Sequence, residues 1–165
     1  MLSALASHTL NADAVAAYLT RTKQLDRDVR ADPYWQIRDV DFFLKGGTAV
    51  YVQLTKPKHT TSGKLFFEVQ REYGGPGRFS SSKADYWYFL NPETKEYCRF
   101  RLADAQTWLL KHLGTEVAVR TNNRNRGWVR GEDRFVDYIG YVVDLQAFSA
   151  GVTVDRIPSG VSPVA

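Results

Sequence analysis

Two carboxylates, Asp41 and Glu68, stand in β-patterned segments that could bring them to one point on a sheet. Successive side chains of a strand point to opposite faces, so each carboxylate lies opposite the apolar residues of its own segment. If the segments 38–44, 49–55 and 65–70 are neighbouring strands, their polar faces meet. Carboxylate oxygens are the ligands that Mg²⁺ and Mn²⁺ prefer, and such an ion polarises a phosphate and activates water. The alternative is that both carboxylates simply face solvent.

Three further polar residues could assist a reaction at this point. Gln53 and Gln70 lie in the second and third segments and could orient water or phosphate by hydrogen bonds, although an amide is not a general base. Lys83 could supply a positive charge. Its alternative role is that of an ordinary solvated lysine.

A second group of residues is suited to phosphate. The stretch from Arg120 to Arg134 is polar and rich in arginine, and it reads as a loop. Arginine offers phosphate paired donors, and a tryptophan could stack on an unpaired base. The residues expected to bind nucleic acid are Lys56, Lys58, Lys64, Arg120, Arg124, Arg126, Trp128 and Arg130. The alternative is a solvated surface.

The elements that position these residues follow from hydrophobic periodicity and turn signals. They form one domain over residues 1–150, followed by a loose tail over 151–165. The chain predicts an opening helix to about Leu25, a strand meander with a tight turn at Gly46-Gly47, a buried strand over 86–90, a returning strand over 97–102, a helix over 105–113 ended by Gly114, and a last strand over 136–145.

Composition limits the class of protein. With 165 residues and 44% hydrophobic content, the chain can bury a core, and its net charge of +4 is compatible with nucleic acid. A lone Cys98 and three scattered histidines exclude an internal disulfide framework and make a zinc cluster improbable. No signal peptide or 18-residue apolar span is evident, so we expect a cytoplasmic protein without membrane contact.

Several of these segments resemble, in order and spacing, the core of the PD-(D/E)XK nuclease superfamily. They are 39–42, 50–55, 59–68 and 77–87, within a similarity that covers about residues 30 to 113. The resemblance is closest to small phage-type and bacterial members that carry an "SKADYW"-like segment, here residues 82–87.

This resemblance implies a restriction-endonuclease-like core of the α/β or α+β class, with a central mixed β-sheet flanked by helices. It also implies a metal-dependent nuclease acting on phosphodiester bonds, with DNA ahead of RNA as substrate. Asp41 and Glu68 would hold Mg²⁺ or Mn²⁺, with Gln53, Gln70 and Lys83 completing the catalytic set. A homodimer is implied as well, in a bacterial or phage-infected cytoplasm.

The chain departs from the superfamily pattern where an acidic residue, any residue and a lysine are expected on the second strand. Tyr51-Val52-Gln53 stands there instead, although Glu68-Val69-Gln70 can also be read as this element with glutamine replacing lysine. The missing lysine supports a second hypothesis, a catalytically lapsed nuclease scaffold that binds nucleic acid or a host protein, as a phage accessory or anti-defence factor. A third hypothesis is an assembly protein whose carboxylates are incidental.

Overall fold

The computed structural model of the protein describes residues 4–53, 63–71, 75–91, 96–129 and 132–158, and these contain five helices and nine strands. The helices are α1 (Ala4–Arg21), α2 (Pro33–Gln36), α3 (Arg78–Ser81), α4 (Leu102–His112) and α5 (Leu145–Gly151). The strands are β1 (Leu25–Asp28), β2 (Phe42–Leu44), β3 (Ala49–Gln53), β4 (Lys64–Arg71), β5 (Tyr86–Asn91), β6 (Glu96–Arg101), β7 (Ala118–Val129), β8 (Glu132–Asp144) and β9 (Asp155–Pro158).

The strands form two sheets. The larger sheet has the order β1-β2-β3-β5-β6-β9, and the smaller sheet has the order β4-β8-β7. Every pair in the larger sheet is antiparallel except β3 and β5, which run parallel with Val50 beside Tyr86. The mixed α/β architecture, with a mixed central sheet flanked by helices, is therefore confirmed. No helix in the described ranges is long and apolar enough to cross a membrane.

Side chains of β3 alternate between two hydrophobic clusters on opposite faces of the larger sheet. Val50 and Val52 pack with Leu19 of α1, whereas Tyr51 lies in the other cluster with Trp87 of β5. Residues 49–52 are all buried, as expected of a strand covered on both faces. The smaller sheet joins the second cluster, because Phe67 of β4 is fully buried and stacks on Phe79 of α3 at 4.1 Å between ring centres.

Several elements agree with the hydrophobic pattern of the sequence. The opening helix, the β2–β3 hairpin, the β5–β6 pair and α4 are all present. Gly46 and Gly47 form the hairpin turn with φ values of +94° and +88°, which glycine adopts without steric cost. Gly114, with φ of +73°, follows the end of α4.

Three neighbouring strands were predicted to form a meander, and the predicted place of the third strand is wrong. The segment 65–70 does form a strand, but β4 pairs antiparallel with β8, with Leu65 opposite Val143. The second edge of β3 is taken by β5 instead. Because both faces of β3 and β5 are apolar, alternation could not show which strand lies beside β3.

The first predicted strand is also shorter than its pattern. Regular pairing begins at Phe42, and Asp39 has a left-handed φ of +52° that interrupts extended backbone. Asp39 and Asp41 therefore lie in the connection between α2 and β2 rather than on one face of a strand.

Two regions predicted as irregular contain strands. Residues 120–134 were expected to be a loop, but β7 and β8 pair from Ala118 opposite Val143 to Val129 opposite Glu132. The predicted tail from 151 includes β9, which pairs with β6, while residues 159–165 lie outside the described residues. The segment is mostly polar, so it has no apolar alternation that would have predicted strands.

Candidate functional site

Asp41 is a buried carboxylate held between α2 and β3. Its residue is 1% exposed, and its Oδ2 accepts the backbone N–H of Val52 at 2.9 Å. Its Oδ1 lies 3.4 Å from the Nε2 donor of Gln36, and its own backbone N–H donates to the carbonyl of Val50 at 2.8 Å. These bonds tie the carboxylate to the backbone of β3 and fix its position.

Asp39 is a second buried acid, 8% exposed, in the same connection. Its Oδ1 lies 3.4 Å from Nε of Arg78, and its carbonyl accepts the hydroxyl of Ser82. Burial raises the pKa of the Asp39 carboxyl to about 6; the charges of Arg78 and Arg71 oppose this rise, whereas those of Glu68 and Asp41 add to it. The left-handed backbone at this residue, uncommon for a non-glycine, keeps its side chain near Arg78.

Arg78 brings a positive charge to the buried groups Asp39 and Tyr51. It is the first residue of α3, and its Nη1 donates to the hydroxyl of Tyr51 at 2.9 Å while its Nε faces Asp39. Tyr51 is almost fully buried, and burial raises the pKa of its hydroxyl well above the usual value, so it stays neutral. One guanidinium thus joins the central strand β3 to the connection before β2.

Glu68 of β4 reaches the same cluster from the smaller sheet. Its Oε1 accepts from Nε of Arg71 at 3.3 Å and lies 3.4 Å from the backbone N–H of Arg78. Gly77 makes this approach sterically possible, because a Cβ there would lie 2.5 Å from the carbonyl oxygen of Glu68. The glycine-rich turn therefore has a packing role: it lets α3 begin directly against β4.

The remaining predicted catalytic residues have other positions. Gln53 donates from Nε2 to the carbonyl of Phe66 at 3.1 Å and so bridges β3 to β4. Gln70 is half-buried and forms a backbone bridge with Pro76. Lys83 is exposed and is held by its backbone, whose N–H donates to the carbonyl of Arg38 at 2.9 Å.

The site is a poor fit for the expected Mg²⁺ or Mn²⁺. Asp41 and Glu68 do enter one electrostatic cluster, because both charges raise the pKa of Asp39. Nevertheless, no group of three or more His, Cys, Asp or Glu side chains within the described ranges is arranged to hold a metal ion. The oxygens of Asp41 accept N–H donors, and Asp39 faces a guanidinium rather than an open coordination position.

The described residues among those predicted to bind nucleic acid lie in two places. Lys64 pairs with Asp144 at 3.2 Å at the start of β4, whereas Arg120 and Arg124 are exposed on β7. Arg126 and Trp128 belong to the same strand. Lys56, Lys58 and Arg130 lie outside the described residues.

Sequence reasoning missed Arg78 and the roles of Tyr51 and Asp39. One signal was present in the sequence: a tyrosine stands where the nuclease pattern has an acid. A phenol hydroxyl at this position can accept a hydrogen bond from an arginine. Its partner Arg78 lies 27 residues away and is brought close only by the packing of α3.

Comparisons of the chain with protein-family models, with curated proteins and with solved structures found no match.

Proposed function

We propose that the protein binds nucleic acid, DNA ahead of RNA, without hydrolysing it, on a scaffold that resembles a restriction-endonuclease-like core. The observation that carries this proposal is the guanidinium of Arg78, which lies against Asp39 and donates to Tyr51. In a metal-dependent nuclease, the corresponding charge would come from a divalent ion.

The chemistry of the surrounding groups supports the loss of hydrolysis. A metal-activated water needs an ion with open coordination positions, held by carboxylates that are free to bind it. Here Asp41 is engaged by Val52 and Gln36, and Gln53 uses its amide to bridge two strands. Glutamine also lacks the charge with which a lysine would stabilise the attacked phosphate.

The distribution of charge supports nucleic acid as the ligand. Strand β7 carries three arginines and no acidic residue, in a chain of net charge +4. Arg120 and Arg124 are exposed there, and arginine is suited to paired contacts with phosphate oxygens.

The test is a paired assay of binding and cleavage with labelled duplex DNA, single-stranded DNA and RNA. We expect salt-sensitive binding that is equal in Mg²⁺, Mn²⁺ and EDTA, and intact substrate after prolonged incubation. Cleavage that requires metal and is lost in Asp41→Asn and Glu68→Gln would overturn the proposal. An Asp26→Asn variant, altered at an exposed acid of β1, is the matched control.

Asp39 and Glu68 both contact Arg78, and the buried Asp41 lies two residues from Asp39; this neighbourhood of acids favours a metal-dependent nuclease as the second candidate function. In that case Arg78 would have to leave the carboxylates before substrate binds, so Arg78→Ala would increase cleavage. If no nucleic acid binds under any condition, a host protein remains as the partner of the scaffold.

A further inference from the structure

The outer half of the β7–β8 hairpin extends beyond the smaller sheet. Pairing between β4 and β8 ends at Arg71 opposite Tyr138, whereas β7 and β8 continue to pair from Arg124 opposite Asp137 to Val129 opposite Glu132. We call residues 124–129 and 132–137 the outer ribbon. At ~3.3 Å per residue, this ribbon is about 20 Å long. Within the described part of the chain, no strand pairs with either of its edges.

Charge is segregated between the two strands of the hairpin. Strand β7 carries Arg120, Arg124 and Arg126, whereas β8 carries four acids and a single arginine. Because the sheet order is β4-β8-β7, the basic strand forms the outer edge. Charged side chains on an edge strand also prevent edge-to-edge aggregation, but positive and negative side chains together would prevent it equally well. Because the charged residues of β7 are all positive, this edge would repel a second copy of itself and attract an anionic partner.

The described side chains of the ribbon are available to a ligand. The side chain of Arg124 is 71% exposed, and its Nε lies 3.9 Å from Oδ1 of Asp137, at the limit of an ion pair. Its guanidinium carbon lies 5.4 Å from the ring centre of Phe135, which is 53% exposed. Such a weakly paired arginine loses little when it exchanges these contacts for a phosphate or a base edge.

The dimensions of the ribbon match B-form DNA. Residues two positions apart lie on one face of a strand, about 7 Å from each other, so two such arginines can both reach the phosphates of one DNA strand. The major groove of B-DNA, about 12 Å wide, admits a two-stranded ribbon, whereas the deep and narrow major groove of an A-form RNA duplex does not.

We propose that the outer ribbon enters the major groove of B-form duplex DNA edge first, with the basic strand β7 toward the DNA and the acidic strand β8 away from it. This inference rests on the proposed nucleic-acid function and specifies its ligand and its contact surface. Asn125 stands between the two arginines in the sequence, and asparagine is a residue that reads the N6 and N7 edge of adenine in this groove.

The experiment compares three labelled probes of equal length: a DNA duplex, its single strand and the RNA duplex of the same sequence. Fluorescence anisotropy over a range of salt concentrations gives the affinity and its salt slope. The variant is Arg124→Gln/Arg126→Gln, and the matched control is Arg21→Gln/Arg156→Gln, which removes two exposed arginines of the α1 and β9 region. Circular dichroism confirms that both variants fold.

We expect the DNA duplex to bind at least tenfold more tightly than the RNA duplex or the single strand. The ribbon variant should lower the magnitude of the salt slope by about 2, as expected for two lost phosphate contacts, and the control variant should leave it unchanged. A DNA duplex with 7-deazaadenine, which lacks the N7 acceptor in the major groove, should bind more weakly than the unmodified duplex.

Equal affinity for the DNA and RNA duplexes would overturn the inference, as would tightest binding to the single strand. Unchanged binding of the DNA duplex by the ribbon variant would also overturn the inference, because the nucleic acid would then bind elsewhere on the protein. In each of these cases the binding of nucleic acid without hydrolysis survives, although equal affinity for the two duplexes would remove the preference for DNA. Only the failure of all three probes to bind the wild-type protein would overturn both.

Discussion

Arg78 and Tyr51 are joined by a hydrogen bond of 2.9 Å between the guanidinium Nη1 and the phenol hydroxyl. The bond links the first residue of α3 to the central strand β3. The carboxylate of Asp39 lies 3.4 Å from the same guanidinium. An internal cation therefore balances acids that were expected to hold a metal.

Removal of the Tyr51 hydroxyl should destabilise the protein. In Tyr51→Phe, the Arg78 donor loses its buried acceptor while the ring keeps its packing against Trp87. We expect a loss of about 1–2 kcal/mol in the free energy of unfolding, measured by urea denaturation. Tyr34→Phe, at an exposed tyrosine, is the control and should change little. Equal effects of the two variants would show that the Arg78–Tyr51 bond contributes nothing.

Replacement of Asp39 should change how stability depends on pH. Its pKa of about 6 exceeds the usual 3.8, so the folded state binds a proton that the unfolded state releases between these values. The stabilisation from the protonated form is fully present below about pH 4 and is lost as the pH rises through about 6. Asp39→Asn should therefore gain stability relative to wild type between pH 4 and pH 7, by about 2–3 kcal/mol.

The measurement is urea denaturation of wild type and Asp39→Asn at several pH values, with the surface variant Asp26→Asn as control. A stability difference that stayed constant from pH 4 to pH 7 would show that the Asp39 carboxyl does not titrate in this range in the folded protein.

Gly77 should not tolerate a side chain. A Cβ at this position would lie 2.5 Å from the carbonyl oxygen of Glu68 and 2.8 Å from the backbone nitrogen of Gln70, and neither atom can move without displacing β4. We expect Gly77→Ala to lower the free energy of unfolding by about 1–3 kcal/mol. Gly75→Ala, in the same turn with no atom within 4 Å of its Cβ, should be nearly neutral. Similar melting temperatures for the two variants would contradict this packing role.

Local patterns predicted the elements whose signals lie within one segment. The helical spacing of Ala12, Val15 and Leu19 marked α1, and Gly46-Gly47 marked the β2–β3 turn. Which strands neighbour one another was not predictable, because the two apolar faces of β3 are compatible with either β4 or β5 at its second edge.

The candidate site was predictable only in part. Asp41 and Glu68 were identified from their segments, and the charges of both act on Asp39, although Asp41 directly precedes β2 of the larger sheet and Glu68 lies in β4 of the smaller sheet. The cation that balances them could not be identified, because Arg78 reaches Asp39 only through the docking of α3 beside Gly77. Tertiary packing of this kind leaves no periodic signal in the sequence.

The sharpest measurement is a Mn²⁺ titration of wild type and Arg78→Ala, followed by electron paramagnetic resonance and by thermal unfolding. Because the guanidinium holds the place of a cation, we expect no saturable Mn²⁺ binding and no thermal stabilisation in wild type. In Arg78→Ala, Asp39 loses the guanidinium that faces it, so Mn²⁺ should bind beside Asp39, Asp41 and Glu68 and raise the melting temperature. Arg71→Ala, which removes a partly exposed partner of Glu68, is the control and should behave as wild type. Saturable Mn²⁺ binding to wild type, abolished by Asp41→Asn, would contradict the role assigned to Arg78.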